Sequence, residues 1–159
     1  MAAMSTKMNI KHEYFMELAL AEAKKAGQIG EVPIGAVLVA ENGKILSATH
    51  NQTIKRVDPT AHAEILALRE AALNLDNYRL LDTSLYVTVE PCIMCMGAIV
   101  HARVQQVICG ASDPKWGAAG SLYDFPEDDR LNHRVEIVKD VREKDCRELM
   151  QAFFRSKRL

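Results

Sequence analysis

The chain has 159 residues, 48% of them hydrophobic and 26% charged, with a formal net charge of −1. A chain of this length without a linker-like tract suits one domain, able to bury roughly 70% of the surface its unfolded form exposes. The balanced charge excludes a global basic field for nucleic acid, so any such partner has to be held locally.

The long uncharged stretch from Pro91 to Ala102 falls well short of the ~18 apolar residues of a membrane span. Met1 to Asn9 has no apolar core of the signal-peptide kind, so export is not expected. Two of the four cysteines, Cys109 and Cys146, lie in strand-like and helix-like runs, and the other two belong to a motif taken up below. A disulfide framework is therefore not expected, and a reducing cytoplasm fits better.

Taken in order, residues 9–27 read as an amphipathic helix, with Phe15, Leu18, Ala19, Ala23 and Ala26 at helical spacing and Gly27 as its C-cap. Residues 33–39 and 44–49 flank Glu41-Asn42-Gly43, a hairpin signal because Asn and Gly tolerate positive φ. A polar loop, Asn51 to Val57, leads to Asp58-Pro59, which predicts a helix start running to about Asp76. On such a helix His62 and Glu64 point about 200° apart. Either the first turn is irregular or Glu64 reaches around by its length. Residues 84–89 are β-formers and run into Pro91, a second predicted helix start, with Cys92 and Cys95 on one face. Strands at 104–109 and 135–138, a loop over 110–125 and a final helix over 144–157 complete the chain. Strands interleaved with helices imply one sheet covered on both faces.

The chemistry lies in two short pieces, His62-Ala63-Glu64 and Pro91-Cys92-Ile93-Met94-Cys95. One imidazole and two thiolates are three good zinc ligands, one short of a closed structural site. The open position holds a water whose pKa the metal lowers to about 7. His-x-Glu followed by Pro-Cys-x-x-Cys is the signature of zinc nucleobase deaminases, in which the glutamate moves protons rather than binding metal. The two helix starts carry partial positive charge, which favours thiolate, and their convergence would place the site at a strand-to-helix turn. A redox cysteine pair would leave His62 and Glu64 unexplained. A closed structural zinc site would need a fourth ligand from His50, His101, Cys109 or His133.

From about Asn9 to Arg158 the chain resembles the bacterial tRNA-specific adenosine deaminases of the cytidine-deaminase superfamily. The resemblance is carried by Asp58 to Ile65, Glu90 to Ile99, Gly117 to Leu122, Asn132 to Glu136 and the Phe153-Phe154-Arg155 ending. It implies a three-layer α/β/α fold whose five-stranded mixed sheet has helices on both faces. Residues 1–159 would form a single zinc-dependent deaminase domain, with core motifs over about 9–122 and a C-terminal strand and helix over 134–158. It further implies a homodimer, one zinc ion per subunit on His62, Cys92 and Cys95, Glu64 as proton shuttle and Asn51 as a substrate contact. The implied reaction is hydrolysis of the wobble adenosine to inosine in an arginine tRNA anticodon stem-loop, with hydroxide attacking adenine C6. No organic cofactor and no membrane are implied.

For RNA contacts the sequence offers Lys115 in the loop and Phe153, Phe154, Arg155, Lys157 and Arg158 at the end. Adjacent helical positions point about 100° apart, so one phenylalanine can be buried while the other stacks on a splayed base. The plainer readings are a core pair with a frayed basic tail, a turn amide at Asn51 and a packing role for His133. Two other functions compete: deamination of free guanine, cytosine or a nucleoside, and a non-catalytic zinc-stabilised RNA-binding subunit. The first shares both motifs. The second gives Glu64 nothing to do.

Overall fold

A computed structural model describes residues 2–158, which excludes Met1 and Leu159 at the two ends of the sequence. Five strands, β1 (Gly35–Ala40), β2 (Ile45–His50), β3 (Thr83–Val89), β4 (Gln106–Ala111) and β5 (Glu136–Val138), form one sheet in the order β2-β1-β3-β4-β5. β1 pairs antiparallel with both β2 and β3, whereas β3–β4 and β4–β5 are parallel. Only β1 runs against the others. The C-terminal ends of the other four strands therefore share one edge with the start of β1.

Side chains alternate across each strand, and the sheet buries both faces for that reason. Ala36, Leu38, Leu85, Val87, Val107 and Cys109 point to one face, under α3 (Ala63–Leu75) and α4 (Ile93–Ala102). Val37, Val39, Tyr86 and Ile108 point to the other, under α1 (Ala2–Gln28) and α5 (Glu143–Lys157). The result is the expected α/β/α sandwich with a mixed sheet. No helix among the described residues is long and apolar enough to cross a membrane.

Several boundaries differ from the sequence reading. α1 begins at Ala2, because nothing from there to Asn9 breaks a helix, yet Ala2 to Lys11 are all exposed. Packing starts only at His12, so deleting Ala2 to Met8 should change unfolding free energy by no more than about 0.5 kcal/mol in a denaturant titration. Within the expected polar loop lies a short helix, α2 (Thr53–Arg56). Buried Glu31 holds it from a distance in sequence, accepting hydrogen bonds from the Lys55 N–H (2.8 Å) and the Thr53 hydroxyl (3.1 Å).

The two predicted helix starts are also corrected. Asp58 does not cap a helix. Its Oδ1 instead accepts from the Thr60 N–H (2.8 Å) and hydroxyl (2.7 Å) in a tight turn, and α3 begins only at Ala63. Pro91 likewise precedes α4, which begins at Ile93.

Candidate metal centre

The late start of both helices is what builds the site. His62 is the N-cap of α3 and Cys92 the N-cap of α4, and both have extended backbone (φ −71°, ψ 152° and φ −74°, ψ 177°). With His62 outside the helix, the 200° separation from Glu64 no longer applies. Cys95 follows in the first turn of α4, fully buried. His62 Nδ1 lies 3.7 Å from Cys92 Sγ and 3.6 Å from Cys95 Sγ. Zinc bonds of ~2.0–2.1 Å to nitrogen and ~2.3 Å to sulfur, set at tetrahedral angles, require an N···S edge of roughly 3.5 Å. The three donor atoms already have that spacing, and their softness suits zinc.

Among the described residues, His62, Cys92 and Cys95 form the one such donor group, and no fourth His, Cys, Asp or Glu belongs to it. His50 pairs instead with Glu22 (Nδ1···Oε2 2.7 Å), and His133 Nε2 lies 2.7 Å from the Val104 carbonyl oxygen. Cys109 and Cys146 are free and buried in the two cores. A closed structural site is not what these residues make.

Glu64, the second residue of α3, is 3% exposed, and its Oε2 finds no hydrogen-bond partner among the described residues. A buried carboxyl oxygen without a partner is costly, and the position makes sense where water, metal or substrate supplies one. Burial pushes the Glu64 carboxyl up to about 7. The Cys92 thiol is pulled down to about 4, chiefly by a hydrogen bond from Cys95, while the Cys95 thiol is driven up by the same partnership. Sharing with Cys92 raises His62 as well.

Asn51 lies beside them at the end of β2, buried, with its Oδ1 accepting from the Ala63 N–H at 2.8 Å. It thus satisfies one of the orphan donors at the start of α3, which neither His62 nor Asp58 does. Among the described residues its Nδ2 has no acceptor, which leaves it as a donor. Lys115 and Trp116 stand exposed on the loop after β4. Phe153 is half-buried and Phe154 exposed, their rings edge-on at 5.4 Å, and Lys157 Nζ sits 5.4 Å over the Phe153 ring. Phe154, Arg155 and Arg158 share a shallow depression with Met150 and Gln151. The end of α5 meets Gly27, Gln28 and Pro33, in the segment that leads to Glu31 and β1. The sequence assigns no role to two residues of this region, Glu31 and Glu90, although Glu90 opens a segment that carries the family resemblance. Each is a carboxyl group whose partners lie twenty or more residues away, and only the apolar neighbours of Glu90 hinted at burial.

The model for the cytidine and deoxycytidylate deaminase zinc-binding region matches residues 9–111. A tRNA-specific adenosine deaminase of Haemophilus influenzae is 47% identical over 92% of this chain and 84% of its own. A solved structure from studies of A-to-I editing by tRNA:A34 deaminases at the wobble position of transfer RNA superposes with a TM-score of 0.83 at 43% identity. It covers 86% of this chain and 98% of that one. A guanine deaminase structure from Bacillus subtilis reaches a TM-score of 0.60 at 41% identity over 64% of each chain.

Proposed function

Because the chain belongs to the tRNA-specific adenosine deaminases of the cytidine-deaminase superfamily, we propose that it hydrolyses the wobble adenosine of an arginine tRNA anticodon to inosine. The observation that carries the hydrolytic chemistry is the three-ligand donor set with the Glu64 oxygen that finds no partner among the described residues, and the similarity to tRNA-specific adenosine deaminases supports tRNA as the substrate. His62, Cys92 and Cys95 hold the zinc, one ion per subunit. Bound there, zinc lowers the pKa of a water to about 7 and makes it a nucleophile at neutral pH.

Glu64 takes a proton from the attacking water and delivers it to N1 of adenine as the new C–O bond forms at C6. A second proton from the same water then goes by way of Glu64 to the amino group, the C6–N bond breaks, and ammonia leaves. Water and adenosine give inosine and ammonia, with no proton left over. A carboxyl group titrating near neutrality suits both halves of this exchange. Asn51 offers its free amide N–H to the nucleoside while its oxygen keeps α3 in place. Asn51→Ala should therefore lose both substrate affinity and the α3 cap, with KM raised about tenfold and stability reduced by about 1 kcal/mol. A steady-state titration beside a thermal melt reads both, and an unchanged KM would speak against the substrate contact.

The RNA is proposed to lie across Lys115 and the end of α5, where Phe154 stacks on a base, Phe153 supports it and Arg155, Lys157 and Arg158 meet phosphates. Replacing Arg155 and Arg158 by glutamine should flatten the slope of log affinity against log salt by roughly 1.4 to 1.8. An unchanged slope would remove these residues from the interface. Residues 1–159 act as one domain, as a homodimer in the cytoplasm, without an organic cofactor. The function itself is tested by incubating the protein with an arginine tRNA bearing wobble adenosine and sequencing for inosine. Free adenosine, cytosine and guanine run alongside. Turnover of guanine instead of the tRNA would favour the other branch of the superfamily.

A further inference from the structure

Glu90 directly follows β3 and stands two residues before the ligand Cys92, with no part in the chemistry proposed for the metal centre. It is 3% exposed, and its N–H extends the β3–β4 ladder to the Ala111 carbonyl at 2.8 Å. Every hydrogen bond to its carboxyl group, among the described residues, comes from one loop. Oε2 accepts from the N–H groups of Ala119 and Ser121 (3.2 Å each), and Oε1 from the Ser121 hydroxyl (2.5 Å). The neighbouring backbone joins the same two segments, since the Ala118 N–H donates to the Pro91 carbonyl (2.9 Å) and Cys92 bridges Gly117. At Gly117 a Cβ would come within 2.1 Å of Glu90 Oε2, so only glycine permits this approach.

A buried carboxyl group is expensive, and an apolar residue would fill this position at less cost. What the carboxyl adds is a fixed distance between the ligand-bearing segment and the loop. That loop carries Lys115 and Trp116, whose N–H groups both donate to Asp113 Oδ1 (3.1 and 3.2 Å), while the Gly117 N–H donates to the Asp113 carbonyl (2.8 Å). The turn holding Lys115 and Trp116 is therefore tied to Gly117, Gly117 is bridged to Cys92, and Glu90 holds Ala119 and Ser121 just beyond it.

We propose that Glu90 is a positioning residue that clips the 113–121 loop to the Pro91–Cys92 segment and so sets where the RNA-facing rim stands relative to the metal. The proposal rests on the tRNA deaminase reading above. Glutamine can imitate the clip: its carbonyl oxygen can serve both N–H groups, and its amide can donate to the Ser121 oxygen. Alanine cannot.

The test compares Glu90→Ala, Glu90→Gln and Ser121→Ala by steady-state kinetics on the arginine tRNA, zinc content and amide hydrogen exchange. Glu90→Ala should keep one zinc per subunit and its kcat while KM rises about tenfold, because binding common to ground and transition states is lost. Its Ala119 and Ser121 amides should exchange faster, and Glu90→Gln should restore both readouts. Ser121→Ala, which disturbs no core packing, should raise KM about threefold and decides the matter if Glu90→Ala does not fold. Unmoved KM values in Glu90→Ala and Ser121→Ala, or glutamine no better than alanine, would overturn the proposal. If the parent protein leaves the tRNA unchanged, the functional reading fails instead, and the exchange of Ala119 and Ser121 still decides whether Glu90 holds the loop.

Discussion

A Glu64→Gln variant will fold, hold one zinc ion per subunit and deaminate at least ~10²–10⁴-fold more slowly than the parent. The range is a lower bound, because Glu64 is assigned more than one proton transfer and each contributes separately. Glutamine has nearly the same volume, so the buried position is refilled without a cavity. What it lacks is a proton that can leave and return near pH 7, the property that burial confers on the Glu64 carboxyl. Single-turnover rates on the tRNA, read beside zinc content, separate the chemical step from folding and metal loss. A variant turning over at a rate near the parent's would show that another group moves the protons.

Cys95→Ala should abolish both zinc retention and turnover. Cys95 is fully buried, and two remaining ligands do not hold zinc against dialysis. Zinc at a thousandfold its Kd adds about 4 kcal/mol to stability, so its loss should lower the melting temperature by roughly 8–16 °C in a chain of this size. Cys109→Ala is the matched control. That thiol is also buried but stands apart from the donor group, so the variant should keep its zinc and lose only about 1 kcal/mol. Uptake of zinc by the metal-free protein should also release protons, since the Cys92–Cys95 pair retains one at neutral pH through the raised Cys95 thiol. Apparent zinc affinity should accordingly rise with pH. Zinc retained at full stoichiometry in Cys95→Ala would mean that the ligands are assigned wrongly.

The sheet was legible because its strands announce themselves by composition and its hairpin by Asn42-Gly43, where Gly43 takes positive φ as expected (86°). The ligand set was legible because chemistry demands those residue types at that spacing. Helix starts were not. Asp58-Pro59 and Pro91 are good local starting signals, but a side chain from β2's end, Asn51, competes for the first N–H of α3 and shifts the boundary to Ala63. The geometry of His62 depended on that shift. The roles of Glu31 and Glu90 were not legible for a related reason. Their partners, Thr53 and Lys55 in one case and Ala119 and Ser121 in the other, are adjacent only after the sheet has formed. Local pattern gives no purchase on such long-range hydrogen bonds. Phe153 and Phe154 follow their 100° separation only in part, since Phe153 is half-buried rather than buried and Phe154 is exposed.

The proposed hydrolysis depends on a metal with three protein ligands and room for one more. X-ray absorption at the zinc edge of the loaded protein measures this directly. Two sulfur atoms at ~2.3 Å and two nitrogen or oxygen atoms at ~2.0–2.1 Å, one of them exchangeable with solvent, are the predicted shell. A third sulfur, or a second histidine in place of the exchangeable ligand, would contradict it.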